Sequence, residues 1–258
     1  MNKVELVLMS SMALVACEGN DAGGVAALRT NDIVGGRLEA GVPAVGYLLV
    51  ANSPAEPVGP YCGATLIAPD VAVTAAHCVR GHDTFAVGFG EAGSAAPIRV
   101  VKTMRHPEYP GGGFRHDVAV LVLESNAGIA ALEIAPPQVG AFARFIGYGR
   151  TTEGPKGAPG GWTYERKQET EEIVGADMLD VWTHGVDGGT CFGDSGGPLL
   201  TGDDHPAIIG VLWGSPPEED VLCTPGTTRV FTSLSGERGF IDRAIACKAS
   251  TDPTCLWR

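Results

Sequence analysis

Positive charge is scarce in this chain. Its 258 residues carry 18 Lys and Arg against 30 Asp and Glu, a formal net charge of −12. That excludes a nucleic-acid-binding surface, which needs clustered basic side chains. The imbalance is not confined to one end. Lys3 and Arg29 share the first 32 residues with Glu5, Glu18, Asp21 and Asp32, so from Ile33 onward 16 basic side chains face 26 acidic ones, a balance of −10. Metal-ligand patterns are also missing. There is no HExxH and no Cys pair at zinc spacing, and no acidic loop that would make a calcium site, so no metal and no cofactor is expected. No internal repeat is present. The apolar run at the front, Leu6–Ala16, has 11 residues and is too short to span a bilayer.

Turn formers are abundant instead. Gly 37 and Pro 18 together exceed a fifth of the chain, and 44% of residues are hydrophobic, a balance that suits many short strands around a sizeable core. The length fits one large all-β domain or two packed barrels. Ala64–Ala68 stops at Pro69-Asp70 and Val71–Thr74 follows, the grammar of a hairpin. Asp117–Leu123 (DVAVLVL) is apolar at alternate and intervening positions, so it reads as a strand buried on both faces. Ala207–Trp213 and Thr227–Leu234 read as further strands. Phe240, Ile241, Ala244 and Ile245 recur at helical spacing, which predicts a closing helix over 236–248. Gly154–Gly161 (GPKGAPGG) reads as an exposed loop.

The N-terminus reads as a targeting segment. A short basic start, Met1–Lys3, precedes the apolar run, which ends Leu14-Val15-Ala16-Cys17 and resembles a bacterial lipobox. Residues 1–17 are therefore expected to be a signal peptide with Cys17 lipidated, which would anchor an exported protein to a membrane or cell surface. The alternative is an ordinary signal peptide and a secreted or periplasmic product. Residues 18–32 are small and polar and read as a tether or propeptide. With Cys17 lipidated, Cys62, Cys78, Cys191, Cys223, Cys247 and Cys255 remain, enough for three disulfides in an oxidising compartment.

Three stretches carry chemistry. Gly193-Asp194-Ser195-Gly196-Gly197-Pro198 offers a serine hydroxyl within a glycine-rich backbone that can turn its N–H groups toward a developing oxyanion. Thr74-Ala75-Ala76-His77-Cys78 offers a base at the end of a strand. Asp117 offers a carboxylate to orient that base. The chain resembles the trypsin-like serine proteases of chymotrypsin fold: IVGG, CGATLIAPDVAVTAAHC, HPEY followed by HDVAVL, GYGR, TCFGDSGGPL, GVLWG and RVFTSLS fall in that family's order from Ile33 to about residue 246.

The resemblance implies an all-β fold of two antiparallel six-stranded β-barrels, residues 33–140 and 141–258, the latter ending in a C-terminal helix, with the site in the cleft between them. It implies Ser195 as nucleophile, His77 as general base and acid, Asp117 as the group that orients His77, and the N–H groups of Gly193 and Ser195 as an oxyanion hole. It pairs Cys62 with Cys78 and Cys191 with Cys223, which leaves Cys247 with Cys255. It implies that Asp194 receives the amine of Ile33 once the chain is cut after Asp32; otherwise Asp194 is a turn residue. Protein or peptide is the expected substrate, and the protein is expected to be a monomer. A silent relative that binds partners through the same fold is the competing reading. His82, His106, His184 and His205 lack a partner motif and read as solvated or structural.

Several positions depart from the family pattern. Leu212 stands where relatives carry the Ser that supports the catalytic Asp, and Tyr148 stands for a usual Trp. The pocket positions are Gly189, Thr190, Trp213, Gly214 and Arg229. Gly189 removes the Asp that gives trypsin-like specificity. An Arg229 aimed into the pocket would grip a carboxylate with two hydrogen bonds, a combination similar to granzyme B, which cuts after Asp. That matches the chain's own Asn31-Asp32/Ile33 junction and points to self-activation, with Asp favoured over Glu at P1. If Glu218, Glu219 or Asp220 neutralise Arg229, or it points to solvent, the pocket is neutral and takes apolar residues, as in chymotrypsin or elastase. A cut after Arg29 is a further alternative that would leave the amine on Thr30.

Overall fold

The computed structural model describes residues 36–38, 41–51, 60–82, 84–112, 115–150, 166–216, 223–252 and 254–255. Cys17, Asp32, Ile33, the 154–161 loop and Glu218–Asp220 lie outside these residues. After a two-residue strand β1 (Arg37–Leu38) come β2 (Val45–Ala51), β3 (Cys62–Ala68), β4 (Val71–Thr74), β5 (Thr84–Phe89), β6 (Ile98–Arg105) and β7 (Ala119–Leu123). Antiparallel pairing in the order β2-β3-β4-β7-β6-β5 closes these six into a barrel. The second half supplies β8 (Phe142–Gly147), β9 (Lys167–Ala176), β10 (Asp180–Gly185), β11 (Pro198–Thr201), β12 (Ile208–Gly214) and β13 (Thr228–Ser233). Their order β9-β10-β13-β12-β11-β8 closes through the β8–β9 pairing into a second six-stranded barrel, and β1 adds to its β9 edge. The helix α1 (Arg238–Ala246) follows. The fold is thus all-β, two antiparallel barrels and a C-terminal helix. Among the described residues no helix is long and apolar enough to cross a membrane.

The double apolarity of DVAVLVL has a direct cause. Successive side chains of a strand point to opposite faces. On β7, Ala119, Leu121 and Leu123 pack inside the first barrel with Leu48, Leu66 and Phe85. Val118, Val120 and Val122 face the other way, into a core shared with Ile146, Tyr148 and Leu200 of the second barrel and with Phe240, Ile241 and Ala244 of α1. Full burial of a side chain of this size contributes roughly 1.5–3 kcal/mol, so the shared core docks barrel to barrel and helix to both. Tyr148 belongs to this junction: its ring meets Tyr47 edge-on at 5.0 Å, and its hydroxyl donates to the Gly90 carbonyl at 2.8 Å across the interface. Burial pushes its phenol well above the usual range. The interior of the second barrel has a smaller apolar cluster, which includes Phe145, Ile173, Leu212 and Phe231. Charged side chains fill much of the rest, and Lys167, Glu169, Glu171 and Arg229 are all buried.

Disulfides join Cys62 to Cys78, Cys191 to Cys223 and Cys247 to Cys255. The third lies just past α1.

Candidate active site

β4 delivers the chain to a single 3-10 turn, Ala76–Val79, that carries His77. The Cys62–Cys78 disulfide ties this turn back to β3. Asp117 precedes β7, is fully buried, and spends both carboxylate oxygens on His77. Oδ1 accepts from the His77 backbone N–H at 2.8 Å, and Oδ2 lies 2.6 Å from Nδ1. This double contact fixes backbone and ring together, so Nδ1 is the protonated nitrogen and Nε2 is left as the basic one. The His77 side chain stays 31% exposed, which leaves Nε2 accessible from the cleft.

The serine loop is built from backbone constraints. Gly193 and Gly196 adopt φ of 98° and 76°, values that L side chains rarely tolerate. Asp194 N–H donates to Cys191 O at 3.1 Å and Gly197 N–H to Asp194 O at 2.9 Å, which closes a tight turn around Ser195. Across the cleft, Gly63 N–H donates to Ser195 O at 2.7 Å, and Cys78 Sγ lies 3.7 Å from the same oxygen. The first barrel therefore holds Ser195 next to the turn that bears His77. Leu212 supports the loop through its main chain: its carbonyl accepts from Gly196 N–H at 2.8 Å, and its N–H donates to Gly197 O at 2.9 Å. Its side chain is buried and apolar. Support for Asp117 comes from elsewhere, with Thr232 Oγ1 donating to the Asp117 carbonyl at 3.4 Å.

Asp194 is fully buried beneath this loop. Its oxygens accept from Gly149 N–H and Cys191 N–H, each at 2.8 Å. Burial nonetheless pushes its carboxyl up to about 7, tempered by those N–H groups and by the charge of Arg229.

The residues expected at the pocket lie between the Cys191–Cys223 bridge and β12. A bulge between Leu212 and Gly214 makes Trp213 the extra residue of that strand, and a Cβ built at Gly214 would meet open space. A Cβ at Gly189 would come within 2.5 Å of Thr224 O. Arg229 enters from β13 with 1% exposure. Its Nη2 donates to Thr224 O at 3.0 Å and Thr190 O at 3.5 Å, and its Nη1 to Ser215 Oγ at 3.1 Å and Thr228 O at 3.0 Å, with Thr227 Oγ1 close by. The guanidinium thus bonds the same Thr224 carbonyl that closes over Gly189 and leaves no room for a side chain there.

A polar cluster lies near the site. His116, next to Asp117, has φ 56° and stacks on His106 with ring centroids 4.5 Å apart. Glu237, just before α1, receives both: Oε1 lies 2.7 Å from His116 Nδ1 and Oε2 3.1 Å from His106 Nε2. Burial alone would raise Glu237, but the hydrogen bonds and charges of the two histidines outweigh it and hold the carboxyl below its usual range. His106 is therefore a buried structural residue. His82 packs edge-on against Tyr61 and Phe85, whereas His184 and His205 are exposed.

A family model for trypsin matches residues 40–234. The chain is 33% identical over 176 residues to a trypsin of Saccharopolyspora erythraea, which covers 60% of this chain and 75% of that protein. It is 28% identical over 230 residues to trypsin zeta of Drosophila erecta, 76% of this chain and 77% of that protein. Hypodermin-B of Hypoderma lineatum is 28% identical over 205 residues, 70% of this chain and 76% of that protein. With this match laid over two closed barrels, a buried Asp117 bonded to His77 and the constrained Ser195 loop, the chain belongs to the trypsin family and is a serine endopeptidase.

Proposed function

We propose that this endopeptidase cleaves after acidic residues, Asp ahead of Glu, with Arg229 as the specificity group. In the reaction, Ser195 Oγ attacks the scissile carbonyl carbon while His77 Nε2 accepts the hydroxyl proton. The C–N bond breaks as His77 returns that proton to the leaving amine, and water then reverses the sequence to release the acyl group. Asp117 holds His77 in the tautomer this requires. Gly193 and Ser195 N–H groups receive the oxyanion, each such donor contributing about 3–4 kcal/mol to transition-state stabilisation.

The observation that carries the acidic preference is the bonding of Arg229 to the Thr190 and Thr224 carbonyls, the latter being the backbone atom that a Cβ at Gly189 would meet. A guanidinium held there offers a planar donor pair to a P1 carboxylate. The same preference accounts for the Asn31-Asp32/Ile33 junction, where the enzyme would activate itself and place the Ile33 amine against Asp194. Export with lipid on Cys17 completes the reading, and the three disulfides suit an oxidising compartment.

A neutral pocket is the second reading. It is favoured by the 1% exposure of Arg229 and by the protein acceptors its nitrogens already hold. Fluorogenic peptides ending in Asp, Glu, Phe, Ala, Val and Arg separate the two, offered to protein beginning at Ile33 with Ser195→Ala as control. The expected result is preference for Asp, lost in Arg229→Gly. Preference for Phe or Ala refutes it. For activation, Asp32→Ala is expected to abolish processing before Ile33; unchanged processing removes self-activation.

A further inference from the structure

The barrel behind the pocket contains carboxyl groups that the reaction does not use. β9 alternates buried and half-buried positions, which turns Lys167, Glu169, Glu171 and Ile173 inward. Glu169 is 1% exposed and Glu171 0%, so both carboxyl groups are shut away from solvent. Glu169 Oε2 lies 2.6 Å from where a Gly188 Cβ would stand, directly behind the backbone that leads into Gly189. On β10, Glu171 pairs with Gly185 and stands diagonal to Thr183, and Thr183 pairs with Arg229 on β13. Adjacent strands are spaced ~4.8 Å apart and residues rise ~3.3 Å along a strand, so Glu171 and Arg229 are rooted roughly 12 Å apart on one inner face, with long side chains between.

One permanent guanidinium therefore shares an enclosed space with Glu169, Glu171 and Asp194. Burial pushes Glu169 well above the carboxylate range, and repulsion from Glu171 and Asp194 pushes it further, against the pull of Arg229. Burial lifts Glu171 to about 7; Thr183 and the charges of Arg229 temper this, while Asp187 opposes them. Lys167, the cation of β9 itself, is lowered to about 8 by burial.

We propose that Glu171 is a specificity-determining residue, whose protonated form leaves the Arg229 charge to an acidic P1 side chain and whose ionised form competes for it. The proposal rests on the reading that Arg229 meets P1. It makes preference for acidic substrates a property of the mildly acidic side of neutrality. An added charge ~10 Å away at an effective dielectric of about 20 changes the relative rate roughly tenfold.

The test is the ratio of kcat/KM for a P1-Asp peptide to that for the matched P1-Ala peptide, from pH 5.5 to 8.5, in the activated enzyme and in Glu171→Gln. Any effect of pH on the shared acylation chemistry or on the activation contact bears on both peptides and cancels in the ratio. The substrate Asp, with a pKa of about 3.9, stays ionised throughout. The expected result is a ratio that falls roughly tenfold across neutrality in the wild type and stays at its high value in Glu171→Gln. A high ratio that does not move with pH in the wild type overturns the proposal and leaves acidic specificity standing. A fall that persists in Glu171→Gln also overturns it. A ratio below one at every pH in both proteins removes the acidic-P1 reading itself, and the proposal with it.

Discussion

Gly63 is where the two barrels come into backbone contact, and replacing it tests how the serine is held. A Cβ at Gly63 would lie 2.5 Å from Gly197 Cα and 2.6 Å from its N, against the ~3.5–4.0 Å of an unstrained carbon contact. The obstacle is backbone at the start of β11, so relief requires the Ser195–Gly197 segment to move about 1 Å away from the first barrel. That motion breaks the 2.7 Å bond from Gly63 N–H to Ser195 O, worth about 1 kcal/mol. Overpacking adds about 1–3 kcal/mol. The expected loss is roughly 2–4 kcal/mol, or about 4–16 °C in Tm for a protein of this size. Because Ser195 moves while His77 stays on its disulfide-pinned turn, a displacement of about 1 Å also lowers turnover roughly 10²-fold. Gly63→Ala should be measured by thermal melting and by kcat per site titrated as acyl-enzyme. Wild-type turnover per titrated site would show that the interbarrel contact does not position the nucleophile. An unchanged Tm would refute the packing argument as well.

The His106–His116–Glu237 cluster leads to a pH-dependent expectation. Glu237 is held below its usual range in the folded protein, so its contribution is present above the unfolded carboxyl pKa, about 4.3, and is lost as pH falls through the lower folded value. Glu237→Gln should cost roughly 1–3 kcal/mol at pH 7, and the gap from wild type should close below about pH 4.3, as read by urea unfolding. A gap that is constant down to pH 3 would show that the charge of Glu237 does not matter there. Together with the P1 profile, the processing of Asp32→Ala and the pH dependence of the P1-Asp/P1-Ala ratio, this makes each part of the site testable separately.

Much of the architecture can be read from the linear chain because it rests on local physics. VAVT and AVLVL are short, Val-containing, largely apolar runs, so β4 and β7 stand where those runs fall in the chain. The serine loop is legible for a similar reason: its glycines supply backbone angles that other residues avoid. α1 begins two residues later and ends two earlier than the 236–248 expectation. Glu237 sits at its N-cap without a side-chain cap, since its carboxylate is turned to His106 and His116 instead.

The class of protein is legible in the linear chain: short strands, two barrels' worth of core, a serine among glycines, a histidine beside a cysteine, and an aspartate opening a doubly apolar strand. Where the charges go is settled by the folded barrels alone. KQETEE alternates polar with polar and looks like a solvent-facing stretch, yet closing β9 between β8 and β10 turns Lys167, Glu169 and Glu171 into the barrel. Arg229 is visible in the sequence, but Thr190, Ser215 and Thr224, which hold it, come from separate loops. Hydrophobic periodicity records how each strand meets its own core. The pairing of distant side chains inside a closed barrel depends on register between strands, which no local pattern encodes.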